Sequence, residues 1–221
     1  WFKTTFGDKH PDWLQLDESG MRNQIMYGQT SSQFCVNSPF REWVFQVLRD
    51  LCAYPIDGIF YDGPSFTLNT CYCHYCQDKY QRQNGEKLPS KKLRKGKPAL
   101  DLLEFQANSI AAFLRDSRTV IKSINPEILL YKNGGVRGGN WSTANLNRVL
   151  IHEQDMLGSE GGYFYGDMTR TPVWKPGVTA RLLETQSPDK PRVIFSMCRP
   201  SPWQFSQHSE ADLRLIYAGT V

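Results

Sequence analysis

The sequence predicts an α/β fold, a (β/α)8 TIM-type barrel of which this chain is a fragment. Two observations carry the prediction. Short β-rich runs alternate with helical stretches, which implies parallel strands joined by crossovers. Each β-rich run ends in a Gly-, Pro- or polar-rich loop, where barrels of this kind place their chemistry. A doubly wound sheet is the competing architecture, and it calls for a G-x-G-x-x-G phosphate loop after a strand. The Gly-rich run from Lys132 to Gly139 lacks that spacing. About five or six strands are expected where a closed barrel needs eight, a deficit that fits a truncated N-terminus.

The elements follow in order. Residues 7–38 read as a long irregular segment with a short strand at Asn23–Tyr27. Ser38-Pro39 opens a helix, with Ser at the cap and Pro in the first turn. Phe40, Trp43, Val44, Val47, Leu48 and Leu51 recur at helical spacing along it, and Tyr54-Pro55 ends it. Ile56–Tyr61 is short, β-rich and flanked by Pro on both sides, the pattern of a buried strand. Helices are expected at Tyr72–Asn84 and Ala99–Ser123, the latter stopped by Asn125-Pro126. The alternation then repeats: strand Ile128–Tyr131, helix Ser142–Ile151, strand Asp155–Leu157, helix Val178–Thr185, strand Arg192–Ser196 and helix Ser209–Ile216. A last strand is expected at Tyr217–Val221.

The 221 residues suffice for one large domain, and 40% hydrophobic with 22% charged residues is an ordinary globular balance. No apolar run reaches membrane-spanning length, so no membrane partner is expected. The net charge of +4 comes largely from Lys87–Lys97, a run that reads as a solvated loop between two helices. A nucleic-acid module built on that loop and the nearby cysteines is the rival reading. A helix separates the two features and the chain is not strongly basic, so no nucleic-acid partner is expected. Aromatic residues make up 13% of the chain, six of them Trp. Such rings suit stacking on sugars and suit cores equally.

In a barrel the polar residues just after each strand are the candidates for chemistry. Here they are Asp62, then Lys132 and Asn133, then Glu160, then Arg199. Two are carboxylates on different strands, and glycoside hydrolysis needs two: one protonates the leaving oxygen and the other attacks or activates water. The plainer readings are a turn residue for Asp62, within Asp-Gly-Pro, and an exposed loop carboxylate for Glu160.

Cys71-Tyr-Cys73-His-Tyr-Cys76 places three thiols within six residues. Short C-x-C and C-x2-C loops supply zinc ligands, and a fourth would come from Cys35, Cys52, Cys198 or His74. Disulfides are the alternative, although Cys71 and Cys73 are too close to pair comfortably. Four thiolates would close the coordination sphere and make the zinc structural.

Ser32-Gln-Phe-Cys35-Val-Asn-Ser-Pro-Phe-Arg41, Asp57-Gly-Ile-Phe-Tyr-Asp-Gly-Pro64 and Cys71–Cys76 together resemble the hypothetical glycosyl hydrolase 6 family, barrel proteins read as bacterial glycosidases. His10-Pro-Asp-Trp13 with Gly20, and Leu157-Gly-Ser-Glu-Gly161, extend the likeness. Part of the pattern is shared with family-42 β-galactosidases, whose Cys-x-Asn-Ser-Pro-like segment joins the Cys loop to bind zinc. That resemblance implies Cys35, Cys71, Cys73 and Cys76 as ligands. The catalytic residues of those galactosidases do not carry over. Their Asn-Glu stands where this chain has Asp62-Gly63, and no carboxylate follows Val193–Ser196, where Met197-Cys198-Arg199-Pro200 stands. The arrangement is closer to family-29 α-L-fucosidases, with an Asp nucleophile after strand four and an acid/base near strand six. If the Asp62 strand is the fourth, Asp62 and Glu160 fall at those places. Residues 1–221 would then form one partial barrel, from about the end of strand three to strand eight, with about the first two strands missing.

The expected function is therefore a glycosidase with Asp62 as nucleophile and Glu160 as acid/base. His10, Trp13, Lys132, Asn133, Arg199 and Trp203 are expected to line the sugar pocket. A non-catalytic carbohydrate-binding barrel is the alternative, motivated by the missing carboxylate after Ser196. A structural zinc is expected and no organic cofactor. Any homo-oligomer is expected to form through regions outside this chain, and a thiolate zinc site favours the cytoplasm.

Overall fold

The computed structural model describes residues 5–22, 24–26, 29–31, 33–67, 69–90, 96–134, 144–160, 172–196, 198–199 and 205–220. The chain opens with helix α1 (Thr5–Lys9), a 3-10 turn (Pro11–Trp13) and a hairpin of β1 (Gln24–Met26) and β2 (Gln29–Ser31). Then follow α2 (Phe40–Leu51), β3 (Gly58–Tyr61), α3 (His74–Asn84), α4 (Lys97–Ile124) and β4 (Leu129–Lys132). The last part holds α5 (Asn147–Leu150), a 3-10 turn (Ile151–Glu153), β5 (Leu157–Ser159), α6 (Lys175–Gln186), β6 (Arg192–Ile194) and α7 (Glu210–Ala218).

β3 pairs with β4 and β5 with β6, both in parallel. A parallel bridge between Asn133 and Gly158 joins the two pairs. The order is thus β3-β4-β5-β6, with helices at every crossover. The result is a mixed α/β fold with an open row of four parallel strands. Among the described residues it does not close into a barrel.

The seam between β4 and β5 is made partly by side chains. Leu130 N donates to the Asp155 carboxylate (2.9 Å) and Lys132 N to Gln154 Oε1 (2.7 Å), while Asp155 N donates to Leu130 O (2.8 Å). These side chains occupy the first two ladder positions, so the strand expected from Asp155 begins at Leu157 instead. Arg118 and Lys122 of α4 pair with Asp155. Burial works against its charge, but the Arg118, Leu130 N–H and Lys122 contacts together hold its carboxyl below the ordinary range.

Three further expectations change. The segment expected to be irregular takes in the end of α1, and the strand expected at Asn23–Tyr27 forms as β1 with a hairpin partner in β2. The helix expected over Ser142–Ile151 is one turn of α5 plus a 3-10 turn, with residues 141–143 outside the described ones. The last strand does not form at its start, because α7 runs on through Tyr217 and Ala218. A capping box between Ser209 and Asp212 and a Glu210–Arg214 pair one turn apart favour that helix.

The core lies where α2 and α4 cover β3 and β4. Tyr61 packs on Phe113 (5.7 Å between rings) and donates to Ser117 Oγ (3.1 Å); Phe113 also stacks with Phe45 of α2. Phe45 belongs to the buried stripe of α2, whereas Trp43 and Leu51 stay 44% and 41% exposed. A smaller cluster, Leu157 and Leu183 with Ile151, Leu182 and Ile194, serves the β5–β6 end.

Candidate functional site

Strand register puts the site together. Side chains alternate faces along a strand, so paired residues share a face. Gly58 pairs with Leu129, Phe60 with Tyr131, Asn133 with Gly158, and Gly158 with Val193. Ile59, Tyr61 and Leu130, on the opposite face, are buried under the helices. On the first face Phe60, Tyr131 and Phe195 form an aromatic floor, with ring centroids 5.0, 5.1 and 6.1 Å apart. Gly158 lies between Tyr131 and Val193 with no room for a Cβ.

The same register carries the polar residues at the strand ends. Tyr61 pairs with Lys132, so Asp62 stands opposite Asn133. Glu160 follows Gly158 by two residues and returns to the face of Asn133. Asn133 N donates to Tyr61 O (2.7 Å), which continues the β3–β4 ladder. Asn133 Nδ2 donates to Asp62 Oδ1 (2.9 Å) and to Glu160 Oε1 (2.6 Å). One amide nitrogen thus bridges two exposed carboxylates. Their bonded oxygens lie no farther apart than those two bonds end to end, about 5.5 Å.

Lys132 shares the buried face of Leu130, so it lies beneath this pair rather than on the open surface. It is 3% exposed and its Nζ donates to Asn133 O (2.7 Å). Burial pushes its amine down to about 8, against an opposing pull from the Asp62 carboxylate.

Among the described residues, His10, Trp13 and Arg199 take no part in the hydrogen bonds of the bridge. His10 and Trp13 stack on each other (3.9 Å) and pack against Phe6, which touches Phe34 and Trp43. Arg199 is exposed beyond β6. Trp203 lies outside the described residues.

Cys35, Cys71, Cys73 and Cys76 form a second cluster. All four are buried, and their sulfurs lie within 4.8 Å of one another. Sulfur–sulfur distances of 3.4 Å (Cys35–Cys76) and 3.6 Å (Cys35–Cys73) are near the ~3.8 Å edge of a tetrahedron with ~2.3 Å zinc–sulfur bonds. Burial pushes the Cys35 thiol up, while hydrogen bonds from Cys35, Cys71 and Cys76 pull Cys73 down. Thiols crowded round one favoured thiolate are a donor set that a soft cation fits. The four cysteines are a candidate metal site. Cys52 and Cys198 stand outside it, as free thiols.

Two supporting groups escaped the sequence. Gln15, buried at 1%, donates to Phe34 O and Ser65 O. It also accepts from Thr67 N and Thr70 Oγ1, so it ties down the loop between Asp62 and Cys71. Nothing in Leu14-Gln15-Leu16 marks such a role. Asn37 donates to the sulfurs of Cys35 and Cys76, and its place in Cys35-Val-Asn37 is the signal that could have found it.

No family model and no curated protein matches the sequence. Solved structures do match in fold. The β-galactosidase of the Antarctic haloarchaeon Halorubrum lacusprofundi is 16% identical at a TM-score of 0.68, over 99% of this chain and 39% of its own. The glycoside hydrolase domain of PgaB (BpsB) from Bordetella bronchiseptica is 12% identical at 0.68, over 94% of this chain and 61% of its own. α-L-Fucosidase isoenzyme 2 of Paenibacillus thiaminolyticus is 18% identical at 0.54, over 98% and 34%. At such identity the likeness concerns the fold alone: the chain resembles, distantly, part of a glycoside hydrolase domain. It spans about two-fifths or less of the galactosidase and the fucosidase.

Proposed function

We propose that this chain is the strand-four-to-seven part of a (β/α)8 barrel glycosidase of the hypothetical glycosyl hydrolase 6 kind, acting on a carbohydrate with retention of configuration. The observation that carries the reading is the Asn133 bridge. It keeps one oxygen of Asp62 and one of Glu160 no more than about 5.5 Å apart, which favours the ~5–5.5 Å carboxyl separation of retaining enzymes over the ~6.5–9.5 Å that inverting enzymes need for a water.

Asp62 attacks the anomeric carbon while Glu160 gives its proton to the leaving oxygen. A glycosyl ester forms on Asp62 and the glycosidic bond breaks. Glu160 then takes a proton from water, and the resulting hydroxide frees the sugar. The Asn133 amide keeps both carboxylates aimed at one point, and the buried Lys132 amine lies beneath, bonded to Asn133 O. Phe60, Tyr131 and Phe195 offer a ring surface below. Cys35, Cys71, Cys73 and Cys76 hold a structural zinc, which suits a reducing compartment such as the cytoplasm.

The test is Asp62→Asn in the full-length protein, assayed on a broad aryl-glycoside panel. Turnover should fall by about 10^4-fold or more with the melting temperature unchanged, and external azide should restore release of the aryl group. A variant as active as the wild type would remove Asp62 from the mechanism. Oligosaccharide binding with no turnover by the wild type would favour the non-catalytic alternative, for which the missing carboxylate after Ser196 speaks.

A further inference from the structure

We infer that Lys79, acting through Asn37, is the charge partner of the four-cysteine centre and holds its metal in place. The inference rests on the reading of that centre as a metal site.

The problem to be solved is electrostatic. A divalent ion bound by four thiolates keeps two net negative charges. Here every ligand is buried, and buried charge is costly without a partner. Hydrogen bonds to the sulfurs and a nearby cation are the available remedies.

Both are present, and they are joined. Asn37 N donates to Cys35 Sγ (3.4 Å) and Asn37 Nδ2 to Cys76 Sγ (3.3 Å). The other end of the same amide, Oδ1, accepts from Lys79 Nζ at 2.7 Å. A cation on the carbonyl oxygen polarises the amide and strengthens the N–H that faces sulfur. Ser109 Oγ closes the triangle, 3.1 Å from Asn37 Nδ2 and 3.3 Å from Lys79 Nζ.

Lys79 is poorly explained otherwise. It is half-buried, lies 5.9 Å from the Phe105 ring centre, and makes no ion pair among the described residues. Asp116, a carboxylate near enough to act on it, is engaged by Arg41. A lysine placed inward without a carboxylate is understandable if its counter-charge is the metal–thiolate unit. It also has one origin with the ligands: Cys73 caps the start of α3, Cys76 lies in its first turn, and Lys79 comes round one turn later. Lys79 and Asn37 are positioning residues; neither is a ligand.

Zinc retention in the full-length protein tests this, read by chelator competition with a metallochromic indicator. Lys79→Met and Asn37→Ala should weaken zinc binding by about 10-fold or more. Lys79→Arg should restore most of the loss, since its guanidinium still reaches Asn37 Oδ1. Lys97→Met, a change at an exposed lysine paired with Asp101, should leave retention unchanged. In cobalt-substituted protein the thiolate charge-transfer band should shift in Asn37→Ala and in Lys79→Met, but not in Lys97→Met. If Lys79→Met fails to fold, Lys79→Gln keeps a donor to Asn37 and removes only the charge. Zinc retention in the Lys79 variants equal to that of Lys97→Met would overturn the charge-partner role. A wild type that binds no metal at all would overturn the centre and the role together.

Discussion

The cysteine corner and the carboxylate pair stand at the two ends of one loop, and they are built in opposite ways. Three of the four sulfurs come from six consecutive residues, and all four are buried. Asp62, Asn133 and Glu160 come from three strands, and both carboxylates are exposed. Local chain geometry makes the first site; parallel register makes the second. A locally built, buried site is coupled to folding, while a register-built, open site leaves its side chains free for a ligand. The Gln15 hydrogen bonds fasten the loop that joins them.

If that contrast holds, damage to the corner is a folding defect and damage to the pair is not. Cys76→Ser, or chelation, should have the largest effect of all. Structural zinc contributes on the order of 10 kcal/mol to the folding of small domains, as much as a typical domain's whole net stability of ~5–15 kcal/mol. Thermal unfolding should therefore lose its cooperative transition or move down by tens of degrees. Cys52→Ser, at a buried thiol outside the cluster, should melt within several degrees of the wild type. Matching transitions for Cys76→Ser and the wild type would erase the contrast.

The same contrast explains what the sequence disclosed. α4 is read nearly to its ends, because 28 residues give the helical period room to declare itself. β3 is read within two residues, because Pro brackets it. The cysteine loop is visible from spacing alone, but the fourth thiol of the cluster, Cys35, lies 36 positions earlier, and spacing alone does not single it out. At the strand ends the positions were legible and the relations were not. Asn133 is expected as a sugar contact; that it also binds both carboxylates is revealed only by pairing register. Lys132 was read as lining the pocket, but alternation along β4 sends it to the face of Leu130. The strand expected from Tyr217 gives way to α7, whose cap and buried Ile216 carry the helix through Tyr217 and Ala218.

Lys132 sharpens the comparison, because it should separate stability from turnover. Its amine is pushed down to about 8 by burial, from ~10.4 in an unfolded chain. Between those values the unfolded state binds more protons, so this group adds stability as pH rises from about 8 to 10.4. Below 8 the cost of the buried charge is fully present, roughly 3 kcal/mol. Lys132→Met should thus melt higher than the wild type at pH 7 and lose that advantage by pH 10. Turnover should move the other way. Wild-type activity should fall as pH rises through about 8, where the charge beneath Asp62 is lost, and Lys132→Met should be slow with that limb flattened. A variant both less stable and normally active would refute the placement of Lys132 under the site.

The smallest predicted effect tests the register itself. Gly158 of β5 lies between Tyr131 of β4 and Val193 of β6 on the aromatic face. A Cβ there would stand 2.5 Å from the Tyr131 ring and 2.8 Å from Val193 Cγ1, well inside contact distance. Gly158→Ala must therefore push Tyr131 aside, and Tyr131 packs on Phe60 and Phe195. Overpacking of this kind costs about 1–3 kcal/mol, so a modest fall in melting temperature is expected. The catalytic consequence should be larger than the structural one. Moving the Tyr131 strand shifts Asn133 two residues on, and a displacement near 1 Å at a reacting group can cost about 10^2-fold in rate. Gly177→Ala, which would bring a Cβ to 2.5 Å from Gly219 O, serves as the comparison. It disturbs the α6–α7 contact by a similar clash but stands away from the strand ends, so it should lower the melting temperature and leave kcat within a few-fold. Equal losses of rate in the two variants would mean that the carboxylates are not held by the pairing of β4 with β5.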